Sequence, residues 1–67
     1  MIPKVVLVKQ THVVDLEDQE VTLEEGKTYY NDGTTVFDAY INDGIARGWL
    51  EKATRRPDTI VVSARQR

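Results

Sequence analysis

Residues 24–50, Glu24-Glu25-Gly26-Lys27-Thr28-Tyr29-Tyr30-Asn31-Asp32-Gly33-Thr34-Thr35-Val36-Phe37-Asp38-Ala39-Tyr40-Ile41-Asn42-Asp43-Gly44-Ile45-Ala46-Arg47-Gly48-Trp49-Leu50, decide the fold. Glu24 to Lys27 reads as a turn, since Gly26 tolerates a positive φ, and it predicts a hairpin into the strand Thr28-Tyr29-Tyr30. Asn31-Asp32-Gly33 breaks that strand. A two-turn helix is expected next. Thr34 or Thr35 is placed to cap it, and with Thr35 as the cap Asp38 falls near the free amides at the positive end of the helix dipole. The pairs Val36–Tyr40 and Phe37–Ile41, four residues apart, set one apolar side. Gly44 fits a Schellman-type stop, with Ile45 folding back over the last turn. Beyond it two readings stay open for Ile45 to Ala53. One is a returning strand, which is favoured; the other is a second helix weakened by Gly48, because glycine costs a helix interior roughly 1 kcal/mol.

Both flanks read as strands. Val5-Val6-Leu7-Val8, Lys9 to His12 and Val13-Val14 up to Leu16 are too rich in valine for a comfortable helix, and give one long bent strand or two short ones. Glu17-Asp18-Gln19 is a polar connection. Glu20-Val21-Thr22-Leu23 alternates polar with apolar, which points Val21 and Leu23 inward. Thr54-Arg55-Arg56-Pro57-Asp58 is a loop, since Pro57 lacks a donor and restricts Arg56. Thr59 to Ser63 is a last strand, and residues 64–67 read as a frayed tail. The expected fold is therefore α+β and a single domain spanning residues 1–67. It is a small, mainly antiparallel β-sheet or a partly open SH3-like barrel, with one short helix plugging one end.

A chain of 67 residues buries a low fraction of its surface. With no cysteine, disulfides and thiolate metal sites are excluded, and a single histidine cannot build an imidazole site alone. Association with a partner is the remaining common route to stability. The formal charge of −2 hides an asymmetry: three basic against nine acidic groups over residues 1–44, a net of −6, and six against two over residues 45–67, a net of +4. Such polarity suits a head-to-tail contact between copies or a basic end that meets an acidic partner, and equally a fold in which the halves neutralise each other. The N-terminus lacks a charged region followed by an apolar run, and no stretch is long and apolar enough to cross a bilayer, so synthesis and retention in a cytoplasm are expected.

Tests for chemistry return little. Ser63 and His12 sit in expected strands with no glycine elbow, which gives no basis for nucleophilic catalysis. The crowd of Asp15, Glu17, Asp18 and Glu20 lacks the glycine and bidentate glutamate of an EF-hand loop, and reads as a solvated acidic connection. The four glycines are too dispersed for a phosphate cradle. Arg55, Arg56, Arg65 and Arg67 are suited to gripping phosphates, but a pI near 5.2 argues against a dedicated nucleic-acid binder. No catalytic, cofactor-binding or metal-ligating residue is expected. Trp49 is the residue of most interest, either filling the core with one face or anchoring a partner. On a strand Arg47 and Trp49 share a face. The expected interface residues are Trp49, Arg47, Tyr40, Arg55 and Arg56.

From Leu23 to Ala53 the chain resembles a layout common in small accessory proteins of tailed bacteriophages and prophages. Strand, glycine turn, tyrosine strand and short helix correspond to Gly26, then Tyr29 or Tyr30, then Tyr40-Ile41-Asn42-Asp43-Gly44-Ile45-Ala46. The step Asn31-Asp32-Gly33-Thr34-Thr35 is longer than in that layout, and the final Arg-Pro loop and strand are additional. The resemblance implies a virion or assembly role such as head decoration, connector or tail accessory. It supplies no catalytic residue. The expected function is thus a non-enzymatic structural protein docking in several copies on a larger assembly, made in the host cytoplasm and carried in the virion. A small regulator that inhibits one host protein, and a nucleic-acid accessory, are the alternatives.

Overall fold

The strand runs and the helix signal above are realised in a computed structural model that describes residues 2–17 and 19–63. The frayed-tail expectation for residues 64–67 lies outside them. Six strands and one helix follow in the order β1 (Val5–Val8), β2 (His12–Asp15), β3 (Glu20–Leu23), β4 (Thr28–Asp32), α1 (Thr35–Arg47), β5 (Leu50–Lys52) and β6 (Ile60–Ser63). They form a four-stranded sheet of order β5-β1-β4-β6 and a separate β2–β3 ribbon. The fold is α+β, mostly antiparallel, and no closed barrel forms among the described residues. The exception to the antiparallel rule is β6, which runs parallel to β4.

Alternation explains the layering. Val6 and Val8 on β1, Tyr29 on β4, Leu50 on β5 and Val62 on β6 are buried on the sheet's inner face. There they meet Phe37 and Ile41 of the helix and Val14, Leu16 and Leu23 of the ribbon in one core. The valine-rich first strand is internal, flanked by β5 and β4. Val21, expected inside, is only partly buried, whereas Leu23 is fully so.

The turn at Gly26 (φ +87°) does not close a β3–β4 hairpin. It turns a corner instead. The Gly26 amide donates to the Val8 carbonyl at 2.9 Å, and β4 leaves β3 to pair with β1. The Tyr29 hydroxyl spans the gap, accepting from the Glu24 amide at 3.0 Å and donating to the Thr22 carbonyl at 3.3 Å.

Glycine 44 is where the structure departs most from expectation. The helix runs for 13 residues, more than three turns at ~3.6 residues per turn, and passes straight through Gly44. Gly44 is buried against Leu50, and a Cβ there would come within 2.8 Å of Leu50 Cδ1 and 2.9 Å of Cγ. Its bare Cα is what allows the helix to lie close on β5. The stop comes four residues later at Gly48 (φ +88°), where the amides of Gly48 and Trp49 donate to the carbonyls of Ile45 and Gly44 at 3.2 and 2.8 Å. That pattern is a Schellman motif. Ile45 to Ala53 is therefore neither one strand nor a second helix: α1 ends at Arg47, and only Leu50–Lys52 is extended.

At the other end the N-cap is Thr34, whose side chain makes no capping bond. Asn31 does that work from β4. Its Oδ1 accepts the Thr34 amide at 2.9 Å, while its Nδ2 donates to the Thr34 carbonyl at 3.1 Å and to Asp38 Oδ1 at 2.6 Å. A residue read as a strand breaker is thus a buried clamp between sheet and helix, 1% exposed.

Strands β5 and β6 lie at opposite edges of the sheet, so residues 53–59 must traverse it. Lys52 and Ile60 both sit level with Val6, the former through β1 and the latter through Tyr29. The traverse is about three strand spacings, roughly 14 Å, well within the reach of seven extended residues. It crosses the outer face, where Arg55 Cζ lies 4.6 Å from the Tyr30 ring centroid. The hydroxyls of Thr28 and Thr59, 3.0 Å apart, pin its far end.

Candidate functional site

The helix stop also builds the most distinctive surface. Because Gly48 reverses the chain, Arg47 and Trp49 are brought together across a left-handed residue, not along a strand, and the Arg47 Cζ lies 5.5 Å from the indole centroid. Arg47 Nε donates to Asp43 Oδ2 at 2.9 Å, one turn back on the helix. Trp49 is held at both ends of its peptide unit. Its amide donates to the Gly44 carbonyl and its carbonyl accepts from the Lys9 amide, each at 2.8 Å.

A chain of rings leads from this point into the core. Tyr40 lies 6.4 Å from Trp49 and stacks at 6.2 Å, with a 14° interplanar angle, on the fully buried Phe37. His12 closes the group at 5.4 Å from Tyr40 and 5.6 Å from Trp49. Such spacings are those of favourable aromatic pairs. Tyr40 and Trp49 are both partly buried against the core, so the indole packs one side onto it.

Beside the rings is a cleft of about 230 Å³ lined by Gln10, His12, Val13, Tyr40 and Trp49. Val13 is 59% exposed at its lip, the most exposed large apolar side chain among the described residues. His12 Nδ1 is bonded to the Gln10 carbonyl, whereas His12 Nε2 and the Tyr40 hydroxyl are buried without a partner. Buried polar atoms ordinarily find one, yet both are unsatisfied within the described residues. The cleft therefore offers a mainly apolar wall, with Arg47 over the indole beside it.

Of the five expected interface residues, Trp49, Arg47 and Tyr40 are gathered here. Arg55 and Arg56 are not. Tyr30 under Arg55 pairs with Val5, whereas Trp49 bonds to Lys9, four residues or roughly 13 Å along β1. Arg56 lines a separate cleft of about 370 Å³ with Leu7, Glu51, Lys52, Ala53 and Thr54. The member missed by sequence reasoning is His12. Its signal was the alternation with Val14, which sets both side chains on the covered face of β2.

In the acidic connection Asp15 is committed locally: its Oδ1 accepts the amide of Glu17, which adopts φ +72°. No cluster of three or more His, Asp or Glu side chains that could hold a metal ion is found among the described residues. None of their helices is long and apolar enough to cross a membrane. Compared with known proteins, the chain matches no family model, no curated protein and no solved structure, so its function has to be argued from its own geometry.

Proposed function

We propose that this protein is a non-catalytic interaction module that docks in several copies on a larger protein assembly. The accessory proteins of tailed bacteriophages, whether head decoration, connector or tail component, are the model for this reading. The supporting observation is the surface of Arg47, Trp49, Tyr40 and His12 around a small cleft with the exposed Val13 at its lip. Tryptophan, tyrosine and arginine carry most of the binding energy at interfaces, and an indole clamped through both sides of its peptide unit loses little freedom on binding. Under this reading the assembly partner fills the cleft with an apolar side chain set against Val13, Tyr40 and Trp49.

A photo-crosslinking residue in place of Val13, at the lip of the cleft, tests the proposal in the cells that make the protein. Crosslinks to a subunit of a large shell or ring are the expected result, and Arg47→Ala should weaken them while leaving the far-ultraviolet circular dichroism unchanged. Crosslinks confined to a single soluble host enzyme would replace this reading with that of a regulator.

The traverse supports a second reading as a nucleic-acid accessory. Tyr30 lies on the outer sheet face beneath Arg55, and Lys52 and Arg56 line the neighbouring cleft. Single-stranded DNA whose binding falls steeply with salt, and is lost in Tyr30→Ala, would favour it.

A further inference from the structure

Among the described residues the sheet ends on β6, whose outer edge is unpaired. Proteins blunt such edges with lysine, proline or a covering element, yet Ile60-Val61-Val62-Ser63 contains no charge and no proline. Among the described residues β6 pairs with β4 alone, and Ile60 and Val61 are 40% and 45% exposed. Among the described residues a side chain meets its backbone at its end, where Gln19 Nε2 donates to the Ser63 carbonyl at 3.1 Å.

We propose that β6 is a pairing edge for a second copy of this chain, joined antiparallel across a two-fold axis at Val61. The strand register argues for this partner. Val5, Tyr30 and Val61 are directly opposite one another on β1, β4 and β6, so they form an apolar row across the outer face that ends at the open edge. A two-fold axis at Val61 places the row against its own copy and continues it through both chains. The same register sets Ile60 against Val62 of the second copy, covering the exposed isoleucine on the inner face. The contact is isologous and closes at two chains, so it makes no fibre. Four residues per chain is a small contact beside the ~1,200 Å² or more of stable complexes, so the dimer is reversible and visible at high protein concentration.

This inference extends the interaction-module reading through a different surface, and the two can fail separately because changes at Val61 leave Arg47 and Trp49 intact. In sedimentation equilibrium from about 10 μM to about 1 mM, the wild type should move from monomer to dimer. Val61→Lys and Val61→Glu each set like charges opposite each other and should weaken association by roughly tenfold or more. An equimolar mixture should restore dimers of one chain of each, weakening as salt is raised. A wild type that stays monomeric throughout, or variants that each associate like the wild type, overturns the proposal. If a variant does not fold, hydrogen exchange decides on the wild type alone: protection of the β6 amides must rise with protein concentration, and concentration-independent exchange refutes the pairing.

Discussion

Replacing Gly44 with alanine separates two opposing effects at one helix position. In an unconstrained helix interior the change stabilises by up to about 1 kcal/mol, since alanine loses less backbone freedom than glycine. Here the new methyl would come within 2.8 and 2.9 Å of two Leu50 atoms. Leu50 is 3% exposed and faces the equally buried Val8, so it has little room to swing away. Overpacking of this kind costs about 1–3 kcal/mol, and a clash at the branch carbon Cγ belongs in the upper part of that range. The net expectation for Gly44→Ala is a loss of about 1–2 kcal/mol from a stability of ~3–10 kcal/mol. With a urea slope of about 1 kcal/mol per molar for so small a domain, the midpoint should fall by roughly 1–2 M. The single tryptophan supplies the fluorescence signal. The background matters as much as the shift. In Leu50→Ala, studied in a stabilising osmolyte because that change itself costs about 2–5 kcal/mol, adding Gly44→Ala should become favourable. An increase in the midpoint of Gly44→Ala alone would refute the close-approach account of this glycine.

Three further outcomes follow from the same fold. Gly48→Ala meets no atom within 4 Å but keeps φ near +88°, so it should lower stability by about 1–2 kcal/mol in every background, without the sign change expected at Gly44. Asn31→Asp removes the donor to Asp38 and sets a second carboxylate beside it. When charged the two carboxylates repel, so the variant's deficit relative to wild type should grow as pH rises and shrink on acidification; thermal melts from pH 3 to 7 measure it. Glu17→Gly relieves a left-handed residue at φ +72° and should raise stability by about 0.5–1 kcal/mol, read by urea denaturation.

Much of the fold was legible because it rests on local rules. Valine runs, the alternation in Glu20 to Leu23 and the proline loop each marked an element that exists. The misreadings share a cause: one residue type serving two physical purposes. Gly44 and Gly48 are four apart, and either satisfies the pattern of a helix stop. Only the approach of Leu50 shows that the first is needed for its missing Cβ and the second for its positive φ. Asn31 carries a turn signal next to Asp32-Gly33, yet the amide that favours turns is equally suited to clamp a helix start. The Gly26 turn was visible as well, but whether two strands joined by a turn pair with each other depends on which edge β1 offers. At the candidate site Arg47, Trp49 and Tyr40 were found through residue type. His12 needed the ribbon folded over the core before it met them.

The route from β5 to β6 has a consequence for how the protein can be cut. The crossing segment carries Arg55 and Arg56 at exposed positions, so a protease that cleaves after arginine meets an accessible bond there. One nick would detach the C-terminal strand covalently while leaving it seated beside β4. It would then be held as a bound peptide, without the effective concentration its tether supplied. Dilution should release it, and a synthetic copy should take its place. The last strand could thus be exchanged for a labelled version without refolding the rest of the chain.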